Sequence, residues 1–218
     1  MSERERFIAV KLDVVASRRA RDRAALQALL AATTRLVNRT FARWLAASFI
    51  VTHGDEVQGM FKLEGVRNLL PCLETWVDEV RPYRVRFGVG VGALATPIQP
   101  QAIGMDGPCW YRAKEALDTA HKERKAFHIV TGRPARDGQL SAFANLLFVL
   151  RRGWTDRQVQ AVRLLQSART QAEAAAAMGV RPATFSNHLS GAHWQEYAAG
   201  RNAFMELLGD ALFHDGKP

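Results

Sequence analysis

The sequence of 218 residues is 48% apolar and carries a formal net charge of +9. This apolar fraction supports a packed core in one large or two small domains, which excludes an intrinsically disordered chain. No apolar run is long enough for a membrane span, and residues 1–6 have mixed charge without an apolar segment. We therefore expect a cytoplasmic protein with neither a membrane span nor a signal peptide. The positive charge favours a polyanionic partner, either nucleic acid or a phosphate-rich ligand.

The first 131 residues alternate between strand and helix patterns. Residues 7–15 predict a strand with Asp13 near its C-terminal end, and apolar spacings of three and four predict a long helix over residues 22–47. After a hairpin, the patterns predict a helix over 63–80 kinked at Pro71, a strand over 84–92, a helix opening at Asp106 to Pro108, and a strand over 127–130. This order predicts an α/β (α+β) fold with a ferredoxin-like core, whose first three strands are neighbours at the sheet centre.

An acidic stretch, Thr-His-Gly-Asp-Glu-Val-Gln-Gly, occupies residues 52–59 between two apolar runs. We interpret it as a hairpin tip in which Gly54 takes the positive φ that a tight turn often requires. Asp55 and Glu56 would then lie at the end of the sheet, where adjacent carboxylates are either solvated or neutralised by a cation. Taken alone, the stretch favours the solvated turn.

The strand predicted over residues 84–92 has glycines at the alternate positions 88, 90 and 92. Alternate residues of a strand share one face, so these glycines remove the side chains from a single face of the sheet. The pattern indicates that another part of the protein packs, or a ligand binds, closely against that face.

The predicted fold brings Asp13 and the Asp55 turn together at neighbouring strand ends. With the backbone carbonyl of Val14, the two carboxylates form an all-oxygen site suited to one or two Mg²⁺ ions. Because Mg²⁺ also binds phosphate oxygens, a nucleoside triphosphate or a related nucleotide is the predicted ligand. The candidate nucleotide-binding residues are Ser17, Arg18, Gly54 and Lys114. For the basic residues among them, a solvated helix face is the alternative.

Four segments resemble the motif series of the SatD family, and the match extends over nearly the whole chain. They are residues 12–18 (LDVVASR), 54–59 (GDEVQG), 86–92 (RFGVGVG) and 106–114 (DGPCWYRAK). More remotely, they are similar to the palm of diguanylate cyclases and class III nucleotidyl cyclases. That resemblance implies that Asp13 and Asp55 hold Mg²⁺ and that Lys114 contacts phosphate. If the palm is active, it also implies that Asp13, Asp55 and Glu56 are catalytic.

Two features depart from the cyclase pattern. His53 stands where diguanylate cyclases have the first glycine of their signature, and its side chain would hinder the close approach of a guanine nucleotide. The third helix also lacks the Asn and Arg pair of class III cyclases. The resemblance therefore implies a nucleotide-binding palm more firmly than a cyclase.

After a predicted linker at residues 132–139, the patterns are helical throughout, with a capping box from Thr155 to Gln158. Residues 170–189 predict two short helices that cross at a tight turn at Gly179, and they resemble helix-turn-helix DNA-binding domains. The resemblance places Phe185 and Leu189 in the core of that domain. It makes Arg181, Thr184, Ser186, Asn187 and His188 the candidate contacts to double-stranded DNA. A helix-turn-helix that makes only protein contacts is the alternative.

The charge of the C-terminal part is modest for a DNA-binding domain. From Gly132 onward the chain has ten Lys and Arg residues against seven Asp and Glu residues, a net charge of +3. Specific DNA binding by so mild a charge calls for a homodimer. An apolar stripe from Trp194 to Leu212 on the last helix could supply the interface, although closing the core of its own domain is the plainer use.

The sequence thus predicts a palm domain over residues 1–131, a linker over 132–139 and a helical domain over 140–218. The leading functional prediction is a transcriptional regulator that binds DNA in response to a Mg²⁺-nucleotide. An active nucleotidyltransferase or cyclase, with the helical domain used for targeting or assembly, is the alternative. A structural or partner-binding role, in which the palm has lost its ligand, is the third interpretation.

Overall fold

The computed structural model describes residues 5–17 and 22–213. Its contacts divide the chain into two compact units. We call Met1–Asn145 together with Met205–Pro218 the sheet unit, and Leu146–Phe204 the helical unit. These units differ from the predicted domains 1–131 and 140–218 both at the boundary and at the C-terminal end. Within the described part of the chain, every helix is too short or too polar to cross a lipid bilayer.

The sheet unit alternates strands and helices in the predicted order, which confirms a mixed α/β architecture. Its elements are β1 (Arg6–Val14), α1 (Arg23–Phe41), β2 (Leu45–Val51), β3 (Val57–Lys62), α2 (Leu69–Glu79), β4 (Val85–Ala93), α3 (Pro108–Lys122) and β5 (Phe127–Val130). Among the residues that the structure describes, these five strands form one sheet in the order β2-β3-β1-β4-β5. All neighbouring strands are antiparallel except β4 and β5.

The centre of the sheet differs from the prediction in one respect. β1 lies at the centre as expected, but its second neighbour is β4, which pairs with β1 from one end to the other. β2 pairs only with β3 and forms the edge of the sheet. The prediction that the first three strands are central neighbours was therefore wrong for β2.

The first helix is shorter than predicted. α1 ends at Phe41, residues 42–44 form a turn of 3₁₀ helix, and β2 begins at Leu45. Trp44 and Leu45 continue the apolar spacing of α1, which is why the pattern extended the helix to residue 47. The side chain of Asn38 bonds the Phe49 backbone on both sides, donating to its carbonyl at 2.9 Å and accepting from its amide at 2.7 Å. Asn38 thereby fixes the end of α1 against β2.

The second predicted helix also consists of two parts. Residues 63–68 are 3₁₀ helix, and α2 begins at Leu69. Pro71 therefore lies in the first turn of α2, where the backbone amides have no intrahelical acceptor and the missing N–H costs nothing. The boundary before Leu69 takes the place of the kink that we predicted at Pro71.

The glycines of β4 are explained by α3. A Cβ built on Gly92 would lie 2.9 Å from the backbone nitrogen of Cys109, and Cβ atoms on Gly88 and Gly90 would collide with the backbone of α3 between Cys109 and Leu117. Of the two explanations that the sequence left open, packing of another element is therefore correct. The α3 backbone fills this face and leaves no room for a ligand.

The helical unit begins within α4 (Pro134–Arg152) and continues through α5 (Asp156–Ser167), α6 (Gln171–Met178), α7 (Pro182–Gly191) and the start of α8 (Trp194–Phe213). Residues 134–139 form the first turns of α4, so the predicted linker at 132–139 was wrong over most of its length. Gly and Pro suggested a linker, but proline is tolerated at the first position of a helix. The capping box of Thr155 and Gln158 is confirmed at the start of α5.

Aromatic and apolar side chains fill the core of the helical unit. The Trp154 and Tyr197 rings meet edge to face at a centroid distance of 4.7 Å, and Trp154 donates to the carbonyl of Ala192 at 2.7 Å. Phe185 and Leu189 of α7 are buried, as predicted. Of the apolar stripe on α8, Tyr197 and Phe204 are buried in this unit, and Leu208 and Leu212 are buried in the part of α8 that belongs to the sheet unit. These four residues therefore serve the plainer predicted use, closing the cores of the protein, while Leu207 is exposed.

Candidate functional site

The acidic stretch forms the hairpin between β2 and β3. The Thr52 amide donates to the Glu56 carbonyl at 2.9 Å, and the Glu56 amide donates to the His53 carbonyl at 3.0 Å. Gly54 has a φ of +62°, which confirms its predicted role in the turn. The connection spans residues 52–56, so it is longer than a two-residue hairpin turn.

The hairpin tip brings Asp55 to the end of β1. The Val14 amide donates to Oδ2 of Asp55 at 3.3 Å, which places this carboxylate beside the backbone that follows Asp13. Burial raises the pKa of Asp13, and the nearby Asp55 carboxylate raises it further, while Arg86 acts in the opposite direction. The predicted convergence of Asp13 and Asp55 is thus present, and it carries an electrostatic cost.

Arg86 is a member of this site that the sequence did not reveal. It lies on β4 directly opposite Asp13, and its Nη1 donates to Oδ1 and Oδ2 of Asp13 at 3.1 and 3.0 Å. Its side chain is 8% exposed, against 27% for Asp13. Its Nε is buried and lacks a hydrogen-bond partner. Two signals were available, the first position of the motif at residues 86–92 and a charged residue inside a strand of Val, Phe and Gly, and neither identifies a partner.

Glu56 lies in a different ion pair. Its carboxylate accepts a hydrogen bond from Nζ of Lys11 at 2.9 Å, and both side chains are partly buried. Glu56 is therefore adjacent to Asp55 in sequence, but its carboxylate is paired with Lys11 of β1. The structure gives it no contact with Asp13.

The remaining nucleotide-binding candidates are dispersed. Ser17 is buried in the turn after β1, Arg18 lies outside the described residues, and the Gly54 carbonyl accepts a hydrogen bond from the Gln27 side chain. Lys114 pairs with Asp118 one turn further along α3, at 2.5 and 2.7 Å, and is largely exposed. The structure gives no contact from Lys114 to the acidic pair. His121, which the sequence did not single out, is close enough for its charge to lower the pKa of Asp13.

The chemistry of the donor atoms fits a single Mg²⁺. Two carboxylates and the Val14 carbonyl are hard oxygen ligands, and Mg²⁺ commonly completes its shell with waters and phosphate oxygens. Within the described residues, no group of three or more His, Cys, Asp or Glu side chains is arranged for a metal ion. Arg86 already neutralises one of the two carboxylates. A cation at this site would therefore have to compete with a guanidinium.

The second candidate surface is α7. Helices α6 and α7 are joined at Gly179, whose φ of +71° gives α6 a left-handed C-terminal end. Arg181 precedes α7 and is exposed, as are Ser186 and Asn187, while Thr184 and His188 are partly exposed. The predicted division of α7 into a buried and an exposed side is confirmed. The helical unit contains seven arginines, no lysine and three acidic residues.

Comparisons with known proteins match one family model and several solved structures. The model of the SatD family matches residues 7–208. Two solved structures titled as a bacterial light-regulated adenylyl cyclase are similar to the chain. The first has 12% identity and a TM-score of 0.45, covering 58% of this chain and 76% of the other. The second has 11% identity and a TM-score of 0.44, covering 58% of this chain and 43% of the other. TM-scores this low carry no functional argument. No curated protein matches the chain.

Proposed function

The chain belongs to the SatD family, and we propose that it is a DNA-binding protein whose sheet unit binds a Mg²⁺-nucleotide. The observation that carries the proposal is the two-sided character of α7. This helix buries Phe185 and Leu189 and leaves Ser186 and Asn187 exposed. Arg181, the residue immediately before the helix, is exposed as well. A short helix with this division, crossing a second short helix at a left-handed glycine, is the geometry by which helix-turn-helix proteins present side chains to the major groove.

The exposed side chains have the chemistry that such a role requires. Arg181 can donate two hydrogen bonds to a guanine, and Asn187 can bond the edge of an adenine. Thr184, Ser186 and His188 offer donors to phosphate oxygens, which fix the register of the helix on the duplex. The excess of arginine over acidic residues in the helical unit favours the approach to a polyanion.

The sheet unit is proposed to bind the nucleotide at Asp13, Val14 and Asp55. Mg²⁺ supplies charge neutralisation for the phosphates when it is bound. Within the protein, Asp13 and Asp55 orient the cation, while the Val14 amide fixes the Asp55 carboxylate. Active phosphoryl transfer is the second candidate, based on the same pair of carboxylates. The ion pair between Arg86 and Asp13 favours binding over two-metal catalysis, because a two-metal site needs both carboxylates for cations.

A homodimer is part of the proposal, and α4 offers its interface. Leu146, Val149 and Leu150 are 66%, 68% and 40% exposed, at the spacing of one helix face. Residues 138–150 contain no charged side chain at all. An uncharged apolar face of this kind can pack on the same face of a second copy across a two-fold axis. Two copies would present two α7 helices to successive half-sites and compensate for the mild charge of each copy.

The test begins with selection of bound sequences from a random 30-base-pair duplex pool, followed by measurement of affinity for the selected duplex. Replacing Arg181, Thr184 and Asn187 together with Ala should abolish specific binding. The melting temperature should hardly change, because exposed substitutions typically cost under about 0.5 kcal/mol. The stoichiometry of the complex, measured by sedimentation, should be two copies per duplex.

Lys122→Ala serves as the matched control. It removes the same single positive charge from an exposed position on α3 and should leave specific binding intact. Undiminished binding by the triple variant would place the DNA site elsewhere. Equal losses in both proteins would reduce the interaction to net charge alone.

A further inference from the structure

We infer that Arg86 is the built-in counter-ion of the acidic pair, and that it exchanges Asp13 for the ligand's phosphates when a Mg²⁺-nucleotide binds. The inference rests on the nucleotide site proposed above. It adds a residue to that site, and it states how the site changes on binding.

The geometry places Arg86 where a cation would otherwise bind. A single nitrogen, Nη1, donates to both oxygens of Asp13, at 3.1 and 3.0 Å. Two other basic side chains of the described residues lie in this region: Lys11 is paired with Glu56, and His121 acts on Asp13 by its charge. Within the described part of the chain, the ion pair to Asp13 is made by Arg86. Its position on β4, directly opposite Asp13 in the strand register, holds it there without a ligand.

Charge and coordination together favour an exchange. Nη1 lies within hydrogen-bond distance of both oxygens of Asp13, so a Mg²⁺ that took either oxygen as a ligand would compete with the guanidinium for it. A guanidinium and a divalent cation on the same carboxylate would also repel each other. The three side chains Asp13, Asp55 and Arg86 carry one negative charge in total, and a bound Mg²⁺ changes it to one positive charge. The loaded site would then attract a triphosphate.

The phosphates are the natural new partner of Arg86. The Arg86 side chain is only 8% exposed, and its Nε is buried and has no hydrogen-bond partner. A buried donor without an acceptor is costly, and phosphate oxygens are among the strongest acceptors for a guanidinium. A nucleotide whose phosphates meet the metal at Asp13 brings such oxygens to this end of β4. Arg86 would thus gain an acceptor for the donor that is unsatisfied in the free protein.

The experiment separates the two halves of the inference. Mn²⁺ binding is measured by electron paramagnetic resonance without nucleotide, and Mg²⁺-nucleotide binding is measured by calorimetry with each non-hydrolysable triphosphate analogue. Arg86→Met should gain about tenfold or more in Mn²⁺ affinity, the size typical of changes beside a metal ligand. The same variant should lose about tenfold in nucleotide affinity, as for a lost charge-assisted hydrogen bond. Lys11→Met, which breaks the neighbouring ion pair, should change neither affinity.

The possible results lead to different conclusions. Unchanged Mn²⁺ affinity in Arg86→Met overturns the counter-ion role. A gain in Mn²⁺ affinity with unchanged nucleotide affinity overturns the move to the phosphates. A wild type that binds no triphosphate analogue also overturns that move, together with the nucleotide half of the proposed function, but leaves the DNA proposal to its own test.

Two further variants keep the test decisive if Arg86→Met fails to fold. Arg86→Lys keeps the charge and should fold, with a Mn²⁺ affinity close to that of the wild type. The double variant Asp13→Asn with Arg86→Met removes both charges, so no charge is left unpaired and the fold should return. It should not gain Mn²⁺ affinity, because it lacks the carboxylate. A gain in the double variant would overturn the assignment of Asp13 as the competing ligand.

Discussion

The candidate site residues of the sheet unit and of the helical unit lie in opposite environments. In the sheet unit, Arg86 is buried and bonded to Asp13, and Asp55 is held by the Val14 amide. In the helical unit, Arg181 and Asn187 are exposed beside a buried core of Phe185 and Leu189. A buried charge must be satisfied within the protein, so a ligand can reach it only by exchange. An exposed charge remains available to any polyanion, and its loss costs the fold little.

The two units also differ in how their elements approach one another. In the sheet unit, the glycines of β4 admit the backbone of α3. In the helical unit, the buried Ala174 and Ala175 provide small side chains where α6 packs. The first arrangement tolerates no added atom, whereas the second depends on large side chains, such as Phe185, that fill the space between helices. Three predictions test this contrast, from the largest expected effect to the smallest.

The largest effect is expected at Gly90. Its added Cβ would collide with the backbone nitrogen of Ala113 and the carbonyl of Cys109, and backbone atoms cannot rotate away. Gly90→Ala should therefore lower the free energy of unfolding by about 4 kcal/mol or more, at the upper end of overpacking effects. Urea unfolding followed by circular dichroism measures the change.

Gly138→Ala is the matched control for Gly90→Ala. Gly138 lies within α4, and a Cβ there meets nothing within 4 Å. The change should stabilise the protein by about 0.5–1 kcal/mol, because alanine is the better helix former. Similar stability losses in both variants would contradict the close packing of β4 on α3.

The next effect concerns the two sides of α7. Phe185 is completely buried, and Phe185→Ala should cost about 3–4 kcal/mol through lost contacts and a cavity. Ser186→Ala, one residue along and exposed, should change stability by less than about 0.5 kcal/mol. Thermal unfolding of both variants tests the division. A large loss for Ser186→Ala would show that the exposed side of α7 is occupied within the protein.

The smallest effect is the titration of Asp13. Burial raises its pKa in the folded protein, so its contribution to stability is full below the ordinary carboxyl pKa of about 4 and is lost as the pH rises through the folded value. Asp13→Asn cannot titrate. The stability of the wild type minus that of Asp13→Asn should therefore decrease with rising pH across this window. Urea unfolding at a series of pH values measures it, and an increase would mean that Arg86 outweighs burial.

Much of the local structure could be predicted because local sequence causes it. The apolar run of Phe127–Val130 predicted β5 with its observed bounds, and the capping box predicted the start of α5. Gly54 takes the expected positive φ. Two predictions were wrong, the end of α1 and the linker over residues 134–139, because at each place one local pattern continues into the next. The end of α1 is set by the pairing of β2 with β3, and residues 134–139 are helical because α4 begins at Pro134.

The sequence by itself determined the order of the elements, the acidic hairpin tip and the division of α7 into buried and exposed sides. All of these follow from periodicity and turn chemistry within a few neighbouring residues. Only the tertiary structure decided that β4 lies beside β1, that α3 occupies its glycine face, and that Arg86 pairs with Asp13 over a separation of 73 residues. Contacts of this kind depend on which strands pair and in what register. That choice is set by the packing of the whole sheet, and a run of neighbouring residues does not contain it.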